Sequence, residues 1–334
     1  LYGHLTEIWS LALSPDGRLL VSGDKAGNVR LWATERPDEV EPFQGVALPL
    51  GFSPDSSTLA GLDNDSAVVF LNVATGQPVR RIPIEGRRWP FQRLALSDDL
   101  KVLAQGHDDG SVTVWNTDAT ESSELEISTR PISLLALSPD GRYLLAAGRD
   151  EMPRWCDLRT GTNDLWDIEA YHVIFSPDGR YGAHFAGDGS ATIWDTESRR
   201  TVATLTPPES GNRLFGFSAT FSPDGNRFAV ALANASVGIW DTQSGEIVGY
   251  FEGHKQLVAA LAFSPDGLTV ATAGSDSTLR LWNVETRTEV LIDRRLGEKL
   301  NALVFSPDGQ LLVGAGLLGS AGDGLRTYRA PRVD

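Results

Sequence analysis

From Leu261 to Trp282 the chain reads LAFSPDGLTVATAGSDSTLRLW. An apolar run, Leu261–Phe263, stops at Ser264-Pro265-Asp266-Gly267, and a second run, Thr269–Ala273, follows it. Proline presets φ at about −65°, aspartate bonds back to the backbone, and glycine admits a positive φ. Two short apolar runs around such a turn read as an antiparallel hairpin. A polar turn and a third run follow, ending in Trp282.

The same phrase stands at Ser14–Gly17, Ser138–Gly141, Ser176–Gly179, Ser222–Gly225 and Ser306–Gly309, with degenerate copies at Ser53–Ser56 and Ser97–Leu100. Successive turn serines lie 39, 44, 41, 38, 46, 42 and 42 residues apart, so eight units fill the chain. A large residue generally closes the third strand 18 positions after the serine: Trp32, Trp115, Trp194, Trp240 and Trp282. Trp155 comes one residue early, Leu71 fills the second unit, and Tyr328 follows a four-residue lengthening. Six of the nine tryptophans thus share one repeated slot, which a packing role explains better than six separate functions. A more polar fourth strand follows, as at Val202–Leu205, Glu246–Phe251 and Glu289–Ile292. Four short strands cannot stand alone in water, whereas units stacked radially bury one another's faces.

In this pattern the chain resembles the WD-repeat β-propeller family. The family's marks are a Gly-His pair, a structural Asp and a Trp-Asp end. Gly253, His254, Asp276 and Trp282 match them, with Asn283 for the final Asp and Thr272 for the hydroxyl of the family's hydrogen-bond relay. Trp194-Asp195 and Trp240-Asp241 give the literal ending. Gly3-His4 repeats the start, but Ala26 stands where its Asp would be, and the other six units lack Gly-His at that place. The resemblance implies one all-β domain over residues 1–334, an eight-bladed propeller of four-stranded antiparallel blades. It also implies a last blade completed by an N-terminal strand, Leu1–Gly3 beside the third strand of the eighth unit. In the fourth unit, Pro153 removes a backbone donor from the third strand, so a bulge or broken pairing is expected there. Because the chain opens on Leu1 rather than Met, it is expected to be processed, trimmed or part of a longer polypeptide.

Composition narrows the function. The net charge is −15, from 44 acidic and 29 basic residues, which argues against a nucleic-acid partner and against broad adhesion to anionic membranes. Arg80, Arg81, Arg87, Arg88 and Arg93 gather around one turn, a solvated edge or a docking patch for an acidic partner. Cys156 is the only cysteine, so no intrachain disulfide forms, which suits a reducing compartment and a cytoplasmic location. No metalloprotease, P-loop, nucleophile-elbow or dinucleotide motif is present. His4, His107, His172, His184 and His254 are scattered among units, and the acidic turns lack calcium-loop spacing. No cofactor, metal or catalytic residue is expected.

The reading that follows is a non-catalytic scaffold or sensor module with a protein or peptide partner, inside a larger signalling or regulatory protein. Phrases such as Ala12–Arg18 and Ala136–Arg142 resemble bacterial family members, where such propellers are fused to effector domains. A constitutive subunit of a stable assembly and a propeller enzyme with an unrecognised site are the alternatives. In the family, partners often use the face formed by loops entering the first strands, and the residue five before each turn serine is expected near its centre. That register gives Trp9, Leu48, Gln92, Ser133, Tyr171, Phe217, Ala259 and Asn301. Aromatic side chains there supply interface area, or else plug the channel or bury between blades.

Overall fold

A computed structural model describes residues 8–13, 19–24, 29–33, 48–63, 67–84, 93–119, 121–206, 214–293, 300, 302–315 and 325–329. The first unit contributes β1 (Ile8–Leu13), β2 (Leu19–Asp24) and β3 (Val29–Ala33). The second holds β4 (Leu48–Phe52), β5 (Thr58–Leu62), β6 (Ala67–Asn72) and β7 (Pro78–Pro83). The third holds β8 (Leu94–Leu96), β9 (Val102–Gly106), β10 (Ser111–Asn116) and β11 (Glu121–Glu126). The fourth holds β12 (Ile132–Leu137), β13 (Tyr143–Gly148), β14 (Arg154–Asp157) and β15 (Thr162–Leu165). The fifth holds β16 (His172–Phe175), β17 (Tyr181–Phe185), β18 (Ala191–Asp195) and β19 (Thr201–Leu205). The sixth holds β20 (Leu214–Phe221), β21 (Arg227–Leu232), β22 (Val237–Asp241) and β23 (Ile247–Phe251). The seventh holds β24 (Val258–Phe263), β25 (Thr269–Gly274), β26 (Leu279–Asn283) and β27 (Glu289–Asp293). The eighth ends the series with β28 (Ala302–Phe305), β29 (Leu311–Ala315) and β30 (Leu325–Arg329).

Each unit is its own antiparallel sheet, paired in chain order. The Ser-Pro-Asp-Gly turn earns its recurrence through four bonds. In the fourth to eighth units the serine Oγ donates to the aspartate carboxylate at 2.5–2.6 Å. The same Oγ accepts the amide five residues on at 2.8–3.0 Å. The carboxylate takes the amide two residues on, and the glycine amide returns to the serine carbonyl. Those glycines sit at φ of 66–73°, while Ser56 and Leu100 hold the same left-handed position in the degenerate turns.

Seams between sheets are apolar. Trp194, Trp240 and Trp282 are buried and each fills the seam toward the preceding unit. Trp155 behaves differently. Successive strand residues face opposite sides, so arriving one residue early turns it toward the fifth unit. It meets Trp166 and Trp194 there at ring separations of 5.4 Å. Cys156 takes the side facing the third unit, against Val112, Ile132 and Leu144. Pro153 lies just before β14, and no bulge results. The pairings of β14 with β13 and β15 keep register, and the strand is shortened to four residues instead.

The expectation of eight four-stranded blades with an N-terminal strand completing the last is not met. Among the described residues six sheets have four strands, β1–β3 and β28–β30 form sheets of three, and no sheet is closed by hydrogen bonds between the chain ends. Leu1–Gly3 lie outside the described residues. The physical reason is that the second unit occupies the seat beside the eighth. Phe52, Leu59, Val69 and Leu71 share one apolar cluster with Leu311 and Val313. β4 packs beside β28, and the Asp308 amide donates to Ser56 Oγ at 3.0 Å. Inner-strand packing therefore runs from β28 to β4 and, unit by unit, back to β28.

Candidate protein-binding face

Strand alternation sorts the connections onto two faces. Turns between first and second strands, the Ser-Pro-Asp-Gly set, share one, here the turn face. Loops entering the first strands and turns between second and third strands share the other, the loop face. In the seventh unit a polar relay ties the parts of the loop face together. Trp282 Nε1–H donates to Thr272 Oγ1 at 2.8 Å, and Thr272 Oγ1 meets His254 Nε2 at 2.7 Å. His254 Nδ1 faces the Asp276 carboxylate at 3.1 Å, and that carboxylate accepts the Lys255 amide and the Thr278 hydroxyl. Burial pushes the His254 imidazole below its ordinary value, more than Asp276 draws it up. Burial also pushes the Asp276 carboxyl up, but the Lys255 amide, Thr278 and His254 together hold it below the usual range. A neutral histidine with its proton on Nδ1 satisfies the chain: Thr272 accepts from Trp282 and donates to Nε2.

The fifth unit carries different chemistry at the same positions. Counted from its turn serine, Ser176, the four relay places hold Trp166, His184, Asp188 and Trp194. Trp166 meets His184 at 6.0 Å and Trp194 at 4.9 Å, both edge-on. His184 Nδ1 and Trp194 Nε1 are buried without a hydrogen-bond partner among the described residues. Burial pushes the His184 imidazole down to about 4. Sequence reasoning leaves His184 among the scattered histidines and misses this substituted relay, whose signal is the shared offset from the turn serine.

Of the residues read as lying near the channel, Tyr171 is 39% exposed immediately before β16, its amide donating to the Phe185 carbonyl at 3.0 Å. Leu48, half-buried at the start of β4, packs into the seams on both sides of the second unit. Ser133 and Ala259 are half-buried in β12 and β24. Gln92 and Asn301 lie outside the described residues, as do the side chains of Trp9 and Phe217. Two further apolar side chains share the loop face with Tyr171: Met152, 48% exposed in the turn before β14, and Leu257, 38% exposed before β24. On the turn face the corresponding side chain is Leu268. The remaining exposed large apolar residues, Val79, Leu165, Ile247, Val248 and Val290, lie on outer strands.

The arginine cluster is largely neutralised. Arg81 pairs with Asp63 at 2.7 Å, Arg80 with Asp118 at 3.7 Å, and Arg93 with Asp108, while Arg87 and Arg88 lie outside the described residues. His107 Nε2 meets Thr113 Oγ1 at 2.7 Å. Among the described residues no group of three or more His, Cys, Asp or Glu side chains is placed to hold a metal ion.

Comparison with known proteins agrees with this geometry. The family described as "WD domain, G-beta repeat" matches residues 1–33 and 245–283, the second stretch containing the whole relay. The β-propeller domain of Cps50 (Swd1) from Myceliophteria thermophila superposes with a TM-score of 0.70 over 86% of this chain and 97% of that one, at 15% identity. The chain has a β-propeller fold, and its two matched stretches are similar to WD repeats.

Protein tipD of Dictyostelium discoideum is 26% identical to the propeller, the match covering 61% of this chain and 42% of tipD. WD repeat-containing protein SL1-17 of Schistosoma mansoni is 28% identical, covering 48% of this chain and 53% of that protein. The propeller thus matches about half or less of the length of these relatives. Both are eukaryotic, so the bacterial part of the resemblance drawn from the Ala-Leu-Ser-Pro-Asp-Gly-Arg phrases finds no support in them. Among the described residues no helix is long and apolar enough to cross a membrane.

Proposed function

We propose that the propeller is a non-catalytic protein-interaction module, a scaffold or regulatory platform whose principal partner docks on the loop face. The observation that carries this reading is the placement of Met152, Tyr171 and Leu257, large apolar side chains exposed on one face of a ring. Exposed aromatic and apolar anchors amid polar loops are the side chains that dominate protein interfaces. The relay supports it by bracing one loop of that face.

The test is capture of partners by the 334-residue chain, followed by calorimetry of each purified partner with Tyr171→Ala and Leu257→Ala. Truncation of a hot-spot residue costs at least about 2 kcal/mol of binding. Leu268→Ala on the turn face serves as control. Loss in the loop-face variants with an unchanged thermal melt supports the proposal. Unchanged affinity in both, or an equal loss in Leu268→Ala, overturns it.

A further inference from the structure

The six outer strands differ in how well they could accept another strand. An exposed sheet edge is a template for pairing, and proteins blunt it with bulges, proline, shortness or charge. β7 begins and ends in proline, and its ladder slips register between Phe70 and Leu71. The ladders of β19, β23 and β27 slip at the corresponding place. β15 keeps register but has only four residues. β11 alone among these six is six residues long, free of proline and in unbroken register along its whole length, from Asn116↔Glu121 to Ser111↔Glu126. Its guard is charge. Glu121, Glu124 and Glu126 are exposed and form no ion pair with any described residue.

The seam beside β11 is also underfilled, for a reason already in the fold. The place that tryptophan takes in the fifth, sixth and seventh units is held here by Cys156. A groove of about 520 Å³ opens between β11 and the fourth unit, with Trp115, Leu125, Cys156 and Leu158 on its walls. Its lining also carries Arg142 and Lys101, already paired with Asp157 at 2.9 Å and Asp99 at 3.9 Å. A second groove of about 560 Å³ lies toward the loop face, between Ile127, Met152 and Leu165.

We propose that β11 is a second docking site, which adds an extended basic peptide segment as a fifth strand of the third sheet. Half of the amide and carbonyl groups of an edge strand point outward and supply the ladder. Alternation places Leu125 with Glu121 on the groove side and Glu124 with Glu126 on the other. A segment alternating basic and apolar residues lays its apolar side chains over Leu125 and the groove, and its cations opposite Glu124 and Glu126. The same carboxylates repel a second copy of this acidic chain, so the edge selects a basic partner over self-association.

The probe is a fluorescent Lys-Val-Lys-Val-Lys-Val peptide titrated into the 334-residue chain, read by anisotropy. The expected result is saturable binding that weakens about tenfold in the double variant Glu124→Lys/Glu126→Lys, because two attractive exposed charge pairs become two repulsive ones. Glu246→Lys/Glu285→Lys changes the net charge equally on the sixth and seventh units and is expected to keep affinity within about a factor of two. A peptide N-methylated on alternate amides, so that its pairing edge is blocked, is expected not to bind. Equal loss in both double variants, no loss in the β11 variant, or equal binding of the methylated peptide overturns the proposal. Glu124→Gln/Glu126→Gln, expected to give an intermediate loss, covers the case in which the lysine variant does not fold.

Discussion

Thr272 shows how much one hydroxyl carries. Its oxygen is the only hydrogen-bond partner of the Trp282 indole among the described residues, and the same atom meets His254 Nε2, all within a buried seam. Thr272→Val keeps the shape and removes both bonds, leaving a buried indole N–H and an imidazole nitrogen unsatisfied. A buried polar group stripped of its partner costs about 1–3 kcal/mol, so we expect the variant to lose about 2–3 kcal/mol in urea unfolding. A loss under about 0.5 kcal/mol would mean that packing, not the relay, holds this unit. These residues were legible in the sequence because Gly-His, Thr, Asp and Trp stand at fixed offsets from one turn serine. Their counterparts in the fifth unit were not, because Trp166 and His184 keep the offsets and change the chemistry. Gly182 accompanies that change: a Cβ there would lie 2.1 Å from the Trp194 ring, so this tryptophan occupies the space that a side chain would fill.

At the scale of the strand, β17 brings a histidine into an aromatic seam and ties that seam to pH. The folded state holds His184 at about 4, below its ordinary value of 6.5, because burial disfavours the charged ring. The unfolded chain takes up that proton first, so the stabilisation is fully present above pH 6.5 and is lost as pH falls toward 4. The shift amounts to roughly 3 kcal/mol at its limit. His172 and His254 are displaced in the same direction by burial and add to the same slope. We expect the urea midpoint to fall on acidification through this window, and His184→Gln to flatten the dependence by a measurable part. An identical slope in the variant would show that the other histidines and the carboxylates account for the acid response. The strands themselves were readable from alternation and turn chemistry, including the early Trp155. Where that residue points was a question of parity, and parity assigned its ring to the fifth unit and a cysteine to the third.

The whole molecule turns on which apolar faces meet. Eight turn serines were countable in the sequence, but each unit offers nearly the same turn and slot, so the count does not say which units share a ring. That is decided by Leu59, Val69 and Leu71 meeting Leu311 and Val313, contacts far apart in the chain and invisible to any local pattern. The candidate loop face was legible in part for a similar reason: Tyr171 stands exposed where the register put it, whereas Leu48, in the same register, is drawn into two seams. If the second unit fills the seat beside the eighth, removing residues 1–33 should leave one cooperative thermal transition, shifted by no more than about 2–4 °C for a protein of this size. Loss of that transition would make the first unit part of the ring. The meeting of β28 with β4 has one further consequence. Among the described residues the sheets share no ladder with their neighbours, so the number of units is not written into any strand pairing. A gene that gains or loses one repeat leaves every hairpin whole and asks of the remaining seams only a small change of angle. In such an architecture, duplication is a cheap experiment for evolution.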